Sequence, residues 1–452
     1  MIRFDLERAA ELTGGTLHPA GPGTVAGEFH GMTQDTRNLK PGNLFAALVG
    51  TRVDGHIYVA EAAARGAAAA LVATRVDAPI AQIEVADVVR ALGDLARAWR
   101  ADSRVRLVGI TGSNGKTMVK TMLSAILSRT APTLATRGNC NNEIGVPLTL
   151  AALGPHHRFA VVEMGAGQPG DIEYLASIAA PEVGVVTNAG PAHLERLGSI
   201  EGVAKTKGEL FVALGSDGTA IINYDDDFCE YWKSLCRDAR QITFGTMDAA
   251  DVRLVDDGDG ESVDTPAGRF RLRLNLPGRH NRLNALAAAA AALALEMPLE
   301  AIAAGLASVA ALAGRLDEHE MEGGWRLIDD SYNANPASLY AALEVLAEHS
   351  GERWLVIGDM AELGESSDKL HREIGRAARE FRVDRLFAIG RHAAAAADAF
   401  GRGAETFDSM DGLIERLGDE VRPGVACLVK GSRSMNMDRI VSRLRAAEVD
   451  RC

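Results

Sequence analysis

The chain has 452 residues, of which 47% are hydrophobic, 24% are charged and only 5% are aromatic. This composition excludes a disordered or collagen-like protein, and the formal net charge of −13 argues against general binding to nucleic acid. The length predicts three domains, because ordinary domains hold roughly 100 to 200 residues.

The cysteines and the apolar runs predict the cellular compartment. Five cysteines are scattered without a CxxC pair, which indicates neither a disulfide framework nor a zinc site. Residues 1–15 lack the continuous apolar core of a signal peptide. The longest apolar run, 285–295, is shorter than the roughly 20 residues that span a bilayer. We therefore expect a cytoplasmic protein with no membrane span.

The elements predict an α/β protein whose first domain, 1–104, is a small α/β unit with a helix at 58–65 and an apolar run at 67–73. From residue 105 the pattern sharpens into a parallel sheet that helices cover on both faces. Its predicted strands and helix are 107–110, Lys116–Leu127 (helix), 159–162, Val183–Val186 and 219–222.

The second half of the chain predicts four further features. Residues 248–276 read as a small antiparallel excursion, and the alanine-rich run 285–295 reads as a buried helix. Gly314 and Arg315 mark a hinge. The strand candidates that follow predict a Rossmann-like third domain, 315–452, after a central parallel-sheet domain, 105–314. These strands are 326–328, 354–357, 386–389 and 426–429.

The strongest motif is GITGSNGKT, residues 109–117, between a predicted strand and a predicted helix. Its glycines let backbone N–H groups converge on a phosphate, and the helix N-terminus adds a positive dipole end. Lys116 can then reach the terminal phosphates, and Thr117 can ligate Mg²⁺. The alternative is an ordinary strand-to-helix turn with a chance lysine.

Four further side chains are candidates for chemistry, and two of them lie at the carboxyl ends of strands. Glu163 ends the strand at 159–162, His193 follows the next strand, and Lys205 and Lys207 come about one helix later. Such strand ends open into the crevice where α/β enzymes bind ligands. The alternatives are a surface glutamate, a structural histidine and two solvated lysines.

TGSNGKT resembles the phosphate loop of the Mur ligases and of their relative folylpolyglutamate synthetase. GNCNNEIGVP at 138–147, PGRHNRLNA at 277–285 and DDSYNANPAS at 329–338 resemble further segments of the Mur ligases. The resemblance implies amide ligation driven by ATP. The implied ATP contacts are Thr111, Gly112, Ser113, Asn114, Gly115, Lys116, Thr117, Met118, Asn281, Asn284, Arg315 and Asp330.

The resemblance also implies a site with two Mg²⁺ ions. The implied ligands are Thr117, Glu163, His193 and Lys207, with Lys207 converted by CO₂ into a carbamate. Arg315 is expected to reach the γ-phosphate. The implied catalytic residues are Lys116, Lys207, His193 and Arg315.

The segment at 329–338 is typical of the family members that add D-alanyl-D-alanine to UDP-MurNAc-tripeptide, so these are the implied substrates. We expect a monomer whose third domain closes over the second. The implied substrate contacts are Asp35, Thr36, Arg37, Asn139, Asn142, Asn333, Asn335 and Lys430.

Three alternatives remain open at this point. Another Mur-type or folate-type ligase would share the ATP domain and differ in its acceptor. A phosphate-loop kinase or ATPase would turn over ATP without an amine acceptor. A non-catalytic nucleotide-binding scaffold would show no turnover with any substrate.

Overall fold

The computed structural model describes residues 1–21, 27–51, 53–256, 258 and 260–449. Its strands form three main sheets in succession along the chain, and a small two-stranded sheet lies near the N-terminus. Helices follow most strands, so the α/β class and the three-part architecture predicted from the sequence are confirmed. No helix within the described ranges is both long and apolar enough to cross a bilayer.

The first domain contains a five-stranded sheet and the small strand pair. Its elements are β1 (Arg3–Asp5), α1 (Leu6–Thr13), β2 (Thr16–His18), β3 (Glu28–His30), β4 (Met32–Thr33), β5 (Leu44–Ala46), α2 (Val59–Ala64), β6 (Ala69–Val72), β7 (Ala81–Glu84) and α3 (Val88–Ala101). The strand order is β2-β7-β6-β5-β4, and β1 pairs with β3. The helix predicted at 58–65 is α2, and the apolar run at 67–73 contains β6.

The central domain is built on a nine-stranded sheet. Its elements are β8 (Arg106–Thr111), α4 (Lys116–Leu127), β9 (Thr133–Ala135), α5 (Gly145–Ala151), β10 (Phe159–Glu163), α6 (Asp171–Ala179), β11 (Val183–Val186), α7 (Leu194–Leu197), α8 (Ile200–Val212), β12 (Thr219–Asn223), α9 (Cys229–Leu235), β13 (Arg240–Gly245), β14 (Val252–Asp256), β15 (Glu261–Thr265), β16 (Gly268–Arg271), α10 (Arg279–Ala294) and α11 (Leu299–Ala307).

The order of this sheet is β16-β15-β14-β13-β12-β11-β8-β10-β9. All neighbouring pairs from β9 through β10, β8, β11, β12 and β13 to β14 are parallel. The last two pairs, β14 with β15 and β15 with β16, are antiparallel. The antiparallel excursion predicted at 248–276 is therefore present, and its last strand ends at Arg271.

Alternation along the central strands divides the core between the two faces of the sheet. Val108 and Ile110 pack in the cluster that holds α4, α10 and α11, while Leu107 packs with α6 and α8 on the other face. Helix α10 is buried on nearly all sides, which explains a sequence of alanines with no polar stripe. The predicted two-faced covering of the sheet is confirmed.

The third domain has a six-stranded sheet in which β17 alone is antiparallel to its neighbour. Its elements are β17 (Asp317–Glu320), β18 (Arg326–Asp330), α12 (Pro336–Ala347), β19 (Glu352–Gly358), α13 (Ser367–Glu380), β20 (Arg385–Ile389), α14 (Ala393–Phe400), β21 (Ala404–Phe407), α15 (Met410–Glu420), β22 (Val425–Lys430) and α16 (Asp438–Val449). The order is β17-β18-β22-β19-β20-β21.

The topology of the central sheet fixes where a ligand can bind. Strand β8 lies between β10 and β11, so the chain leaves β8 towards one side of the sheet first and returns on the other side later. A crevice opens at the carboxyl end of a strand where the order reverses in this way. The loop between β8 and α4 occupies that crevice.

Candidate active site

The phosphate loop depends on two glycines with left-handed backbone conformations. Gly115 has φ +82° and forms the N-cap of α4, and a Cβ there would collide with the side-chain oxygen of Asn284. Gly112 has φ +143°, and a Cβ there would collide with the hydroxyl of Thr187. Since other residues carry a Cβ and avoid positive φ, only glycine satisfies both positions.

Side chains from the loop after β11 hold the phosphate loop in place. The backbone N–H of Asn114 donates to the side-chain oxygen of Asn188 at 2.9 Å, and the Thr187 hydroxyl donates to the Asn114 carbonyl at 2.6 Å. The Ser113 hydroxyl donates to the Gly190 carbonyl at 3.1 Å. The loop is thus preorganised by neutral groups. Asn188 is a contributor that the sequence did not single out.

Lys116 lies folded against its own loop. Its Nζ donates to the carbonyl of Gly112 at 2.6 Å and to the carbonyl of Ser113 at 3.2 Å. Burial lowers the pKa of Lys116, Glu163 opposes that change, and the positive charge of Arg315 adds to it. An ammonium in an anion-binding loop is stabilised when a phosphate binds beside it, because the two form a charge-assisted hydrogen bond.

Glu163 is buried at the end of β10 and is held by two side chains. Its Oε1 accepts a hydrogen bond from Asn141 Nδ2 at 2.8 Å, and its Oε2 lies 3.2 Å from Lys120 Nζ. Burial acts to raise the pKa of Glu163, but Lys120, Lys116 and the Asn141 hydrogen bond outweigh it and lower the pKa overall. The carboxylate is therefore ionised and faces the cavity.

The sequence interpretation missed Lys120 and Asn141. Lys120 lies one helical turn after Lys116, so the spacing of four residues placed both lysines on one face of α4. Asn141 lies in the same loop as Asn139 and Asn142, which were the predicted contacts. Asn142 uses its side-chain oxygen to accept from the N–H of Gly145 at the start of α5.

Burial separates the two candidate lysines of α8. Lys205 is exposed, whereas Lys207 is 1% exposed. Burial, together with the nearby charge of Lys116, lowers the pKa of Lys207 to about 7. A substantial fraction of Lys207 is therefore an uncharged amine near neutral pH.

His193 adopts a left-handed conformation, φ 55° and ψ 31°, at the start of α7. Its Nδ1 forms an ion pair with Glu362 of the third domain, and the N–H of Glu195 donates to the Glu362 carbonyl at 3.3 Å. Glu362 also has a positive φ, 62°. Two strained residues from different domains therefore meet at one edge of the cavity. The sequence interpretation did not identify Glu362 as the partner of His193.

Asn281 and Asn284 lie at the start of α10, beside the phosphate loop. Asn281 Nδ2 donates to the Pro277 carbonyl at 2.8 Å, and Asn284 Nδ2 lies 3.4 Å from Asn281 Oδ1. His280 also lines the cavity, and burial lowers its pKa to about 4. These side chains provide neutral donors and acceptors in the cavity.

The third domain reaches the phosphate loop through direct hydrogen bonds. Arg315 Nη2 donates to Thr117 Oγ1 at 3.1 Å. Asn335 Nδ2 donates to Asn114 Oδ1 at 2.8 Å, and Asn114 Nδ2 donates back to Asn335 Oδ1 at 3.3 Å. Arg315 and the segment 329–338 of the third domain therefore both contact the phosphate loop of the central domain.

Asp330 and Lys430 form a buried ion pair, with Asp330 Oδ2 2.6 Å from Lys430 Nζ. Lys430 Nζ also donates to the Asn333 carbonyl at 2.8 Å. Burial raises the pKa of Asp330 against the opposing charge of Lys430. The pair joins the ends of the neighbouring strands β18 and β22 beneath the segment that carries Asn333.

One cavity of about 1040 Å³ lies between the domains. Most of the predicted site residues line it. These are Ser113, Asn114, Gly115, Lys116, Thr117, Met118, Asn139, Asn142, Glu163, His193, Asn281, Asn284, Arg315, Asp330, Asn333, Asn335 and Lys430. Of the remaining predictions, the Thr111 hydroxyl donates to the Met164 carbonyl, and Gly112 and Lys207 are not among the residues that line the cavity.

Asp35, Thr36 and Arg37 lie apart from this cavity in the first domain. Asp35 accepts from the backbone N–H of Arg37 at 2.9 Å and forms an ion pair with its guanidinium at 2.8 Å, which lowers the pKa of Asp35. Thr36 is buried, and Arg37 is exposed. A ligand that contacts both places must therefore be extended.

Two of the predicted metal ligands, Thr117 and Glu163, offer the hard oxygen donors that suit Mg²⁺, which prefers oxygen and retains several waters. Glu163 supplies a buried, ionised carboxylate, and Thr117 supplies a hydroxyl that accepts from Arg315. Within the described ranges, no group of three or more His, Cys, Asp or Glu side chains could hold a metal ion. Two oxygen donors do not fill the coordination shell of Mg²⁺, so an ion held by Thr117 and Glu163 would take further ligands from a nucleotide and from water.

The fold and the site together define a three-domain α/β protein of the phosphate-loop class. Family models match in chain order: the Mur ligase family catalytic domain over 28–100, the Mur ligase middle domain over 110–292 and the Mur ligase glutamate ligase domain over 314–433.

Full-length relatives agree with these models. The chain is 41% identical to a UDP-N-acetylmuramoyl-tripeptide--D-alanyl-D-alanine ligase of Escherichia coli K12, over 98% of this chain and 99% of that protein. It is 34% identical to the Bacillus subtilis protein of the same name, with coverage of 98% and 99%. The chain belongs to the Mur ligase family, as its phosphate loop predicted.

Solved structures are similar over the same length. A crystal structure of MurF from Acinetobacter baumannii superposes with a TM-score of 0.90 at 35% identity, covering 98% of this chain and 99% of that one. MurF ligase from Thermotoga maritima in complex with ADP gives a TM-score of 0.83 at 28% identity, covering 94% and 99%.

Proposed function

We propose that this chain is an ATP-dependent ligase that joins D-alanyl-D-alanine to UDP-N-acetylmuramoyl-tripeptide, releasing ADP and phosphate. The observation that carries the proposal is the direct contact of Arg315 and Asn335 with the phosphate loop. Because of this contact, residues of the third domain and of the phosphate loop line the same cavity. The names of the Escherichia coli and Bacillus subtilis relatives support the choice of substrates.

The alternatives have less support. A folylpolyglutamate synthase of Mycobacterium tuberculosis shares the fold at a TM-score of 0.61 and 19% identity, which carries no substrate assignment. A simple phosphate-loop ATPase would not need a third domain whose residues reach into the nucleotide cavity. A non-catalytic scaffold would not need the half-buried Lys116 together with the buried ionisable groups Glu163 and Lys207.

ATP is the proposed nucleotide, and the ADP complex of the Thermotoga maritima relative supports this choice. Its phosphates would lie on the loop 111–118, where backbone N–H groups and the start of α4 favour anions. The base and ribose would lie towards Asn281, Asn284 and Asp330.

In the first step, an oxygen of the tripeptide carboxylate attacks the γ-phosphorus of ATP. The bond from that phosphorus to the bridging oxygen breaks, which yields an acyl phosphate and ADP. Two anions must approach each other, so cations in a desolvated site lower the barrier. Lys116 and Arg315 supply these charges, since both line the cavity at the phosphate loop.

Two Mg²⁺ ions are part of the proposal. Thr117, Glu163, His193 and Lys207 would hold them, and when bound they would neutralise phosphate charge. His193 would first have to leave its ion pair with Glu362. We place the ions near the phosphate loop because its hydroxyl and the Glu163 carboxylate are both hard oxygen donors.

Carbamylation of Lys207 is also proposed. The amine must be uncharged to react with CO₂, and a pKa of about 7 makes the uncharged form available near neutral pH. The neutral amine and CO₂ form a carbamate anion and release a proton, and the anion could ligate a metal. Lys205 is exposed and is therefore not the proposed residue.

In the second step, the free amine of D-alanyl-D-alanine attacks the acyl carbon and expels phosphate, which forms the new amide. Asn333, Asn335 and Lys430 are the proposed dipeptide contacts, and Asn139 and Asn142 the proposed contacts to the tripeptide. Asp35, Thr36 and Arg37 would hold the distant uridine nucleotide. Closure of the third domain would protect the acyl phosphate from water.

The organisation of the molecule completes the proposal. We place the domain boundaries at 104/105 and at 314/315, between the three main sheets. We further propose a monomer in the cytoplasm, where ATP would drive the reaction. Sedimentation that gave a stable dimer would reject the monomer without affecting the assigned chemistry.

Phosphate release from Mg·ATP and UDP-N-acetylmuramoyl-tripeptide, with and without D-alanyl-D-alanine, tests the function. We expect release that requires the dipeptide and a product whose mass equals that of the pentapeptide. Release that ignores the dipeptide would indicate an ATPase. Dependence on a single amino acid would indicate a different ligase of the family.

A further inference from the structure

The guanidinium of Arg315 lies between an aromatic ring and the phosphate loop. Its Cζ is 4.4 Å from the centroid of the Tyr332 ring, and its Nη2 donates to Thr117 Oγ1 at 3.1 Å. A guanidinium over an aromatic face is attracted by the ring's electrons, and the contact limits its rotamers. Tyr332 lines the cavity and is half-buried, and of these two side chains it is Arg315 that donates to the loop.

The backbone around Arg315 is attached to the third domain on both sides. The N–H of Gly314 donates to Asp329 Oδ2 at 3.1 Å, and the N–H of Leu316 donates to Asp330 Oδ1 at 3.2 Å. The N–H of Tyr332 donates to the Gly314 carbonyl at 3.1 Å. Segment 314–316 is therefore hydrogen-bonded to the end of β18.

Gly314 permits this attachment. It has φ +75°, and a Cβ there would lie 3.1 Å from Tyr332 Cβ. Any other residue would push the tyrosine away or strain the backbone. The same strand-end segment continues to Asn335, which pairs with Asn114 of the phosphate loop. One small block of the third domain thus carries Arg315, Tyr332 and Asn335 together.

We infer that Tyr332 is a positioning residue, whose ring holds the guanidinium of Arg315 at the phosphate loop so that movement of the third domain carries Arg315 to the nucleotide. The inference rests on the proposed function, because it assumes that Arg315 acts on the transferring phosphate. Tyr332 itself touches no reacting group and acts through Arg315.

The test compares Y332L with the matched variant Y332F. We expect Y332L to lower kcat about tenfold, which corresponds to about 1.4 kcal/mol and matches the size of a cation–π contact, and to leave the KM for the UDP-tripeptide nearly unchanged. Y332F keeps the ring face and should retain wild-type kcat. A protein with a merely structural tyrosine would lose thermal stability and would not show this split.

A double-mutant cycle makes the test specific to Arg315. In an R315A background, we expect Y332L to have little further effect on kcat, because its partner is already absent. Full additivity of the two substitutions, or unchanged kcat in Y332L, would overturn the inference. Y332M provides a second flexible replacement if Y332L does not fold, and thermal unfolding monitors each variant.

The wild-type assay separates this inference from the proposed function. A wild-type protein that forms no pentapeptide would reject the function itself. A wild-type protein that forms pentapeptide while Y332L matches it in kcat would reject only the role of Tyr332.

Discussion

Lys120 Nζ lies 3.2 Å from Glu163 Oε2, and only 7% and 3% of the two side chains are exposed. Removing one partner of a buried ion pair leaves an uncompensated charge, which costs about 3–5 kcal/mol. We therefore expect K120M to lower the free energy of unfolding by about 3 kcal/mol. Urea denaturation measures this change.

The control for this substitution is K205M, because Lys205 is an exposed lysine. K205M should change the free energy of unfolding by no more than about 0.5 kcal/mol. The double variant K120M/E163Q should recover part of the loss, since it no longer buries an unpaired charge. Equal stability of K120M and K205M would contradict the buried pair.

Lys207 and Lys205 provide a matched pair for the proposed carbamate. Arginine keeps the charge but remains protonated and cannot become a carbamate. We expect K207R to lose about 100-fold or more in kcat, on the scale of an electrostatic group in a dry site, whereas K205R should keep it. Pentapeptide formation measures both. Activity in K207R close to that of K205R would exclude an essential carbamate.

His280 provides a prediction about pH. Its pKa is lowered to about 4 by burial, with smaller contributions from the positive charges of Lys430 and Arg282. In the unfolded chain a histidine titrates near pH 6.5. Between pH 6.5 and pH 4 the unfolded state therefore binds a proton that the folded state does not, so this group destabilises the fold as the pH falls.

Unfolding of the wild type and of H280Q at several pH values isolates that effect. From pH 7 to pH 4 the wild type should lose on the order of 3 kcal/mol more than H280Q, because glutamine does not titrate. Above pH 7 the difference between the two should stay constant. Parallel losses in both proteins would mean that His280 is charged in the folded state.

Much of the fold followed from local patterns in the sequence. Helix α4 and strand β11 span the predicted residues, because a run of helix formers after a glycine-rich turn and a short uninterrupted apolar run are strong local signals. Strand β13 was not predicted. Strand β13 forms by pairing with β12, and the paired residues, such as Thr219 and Arg240, lie 21 positions apart in the chain. No local sequence pattern indicates such a pairing.

The sequence predicted the loops that carry motifs, but it predicted few of the contacts that join one loop to another. The phosphate loop and the segment at 329–338 were identified separately, but the contact of Asn335 with Asn114 joins residues 221 apart in the chain. The partner of His193 was missed for the same reason, since Glu362 comes from the third domain. Burial decided between Lys205 and Lys207, which periodicity alone did not settle.

Isotope transfer tests the proposed chemistry most directly. UDP-N-acetylmuramoyl-tripeptide labelled with ¹⁸O in its terminal carboxylate would be incubated with Mg·ATP and D-alanyl-D-alanine, and the released phosphate analysed by mass. We expect one ¹⁸O atom in each phosphate, because the carboxylate oxygen becomes the bridging oxygen of the acyl phosphate and leaves with phosphorus. Unlabelled phosphate would contradict the acyl-phosphate ligation and would indicate attack on ATP by water.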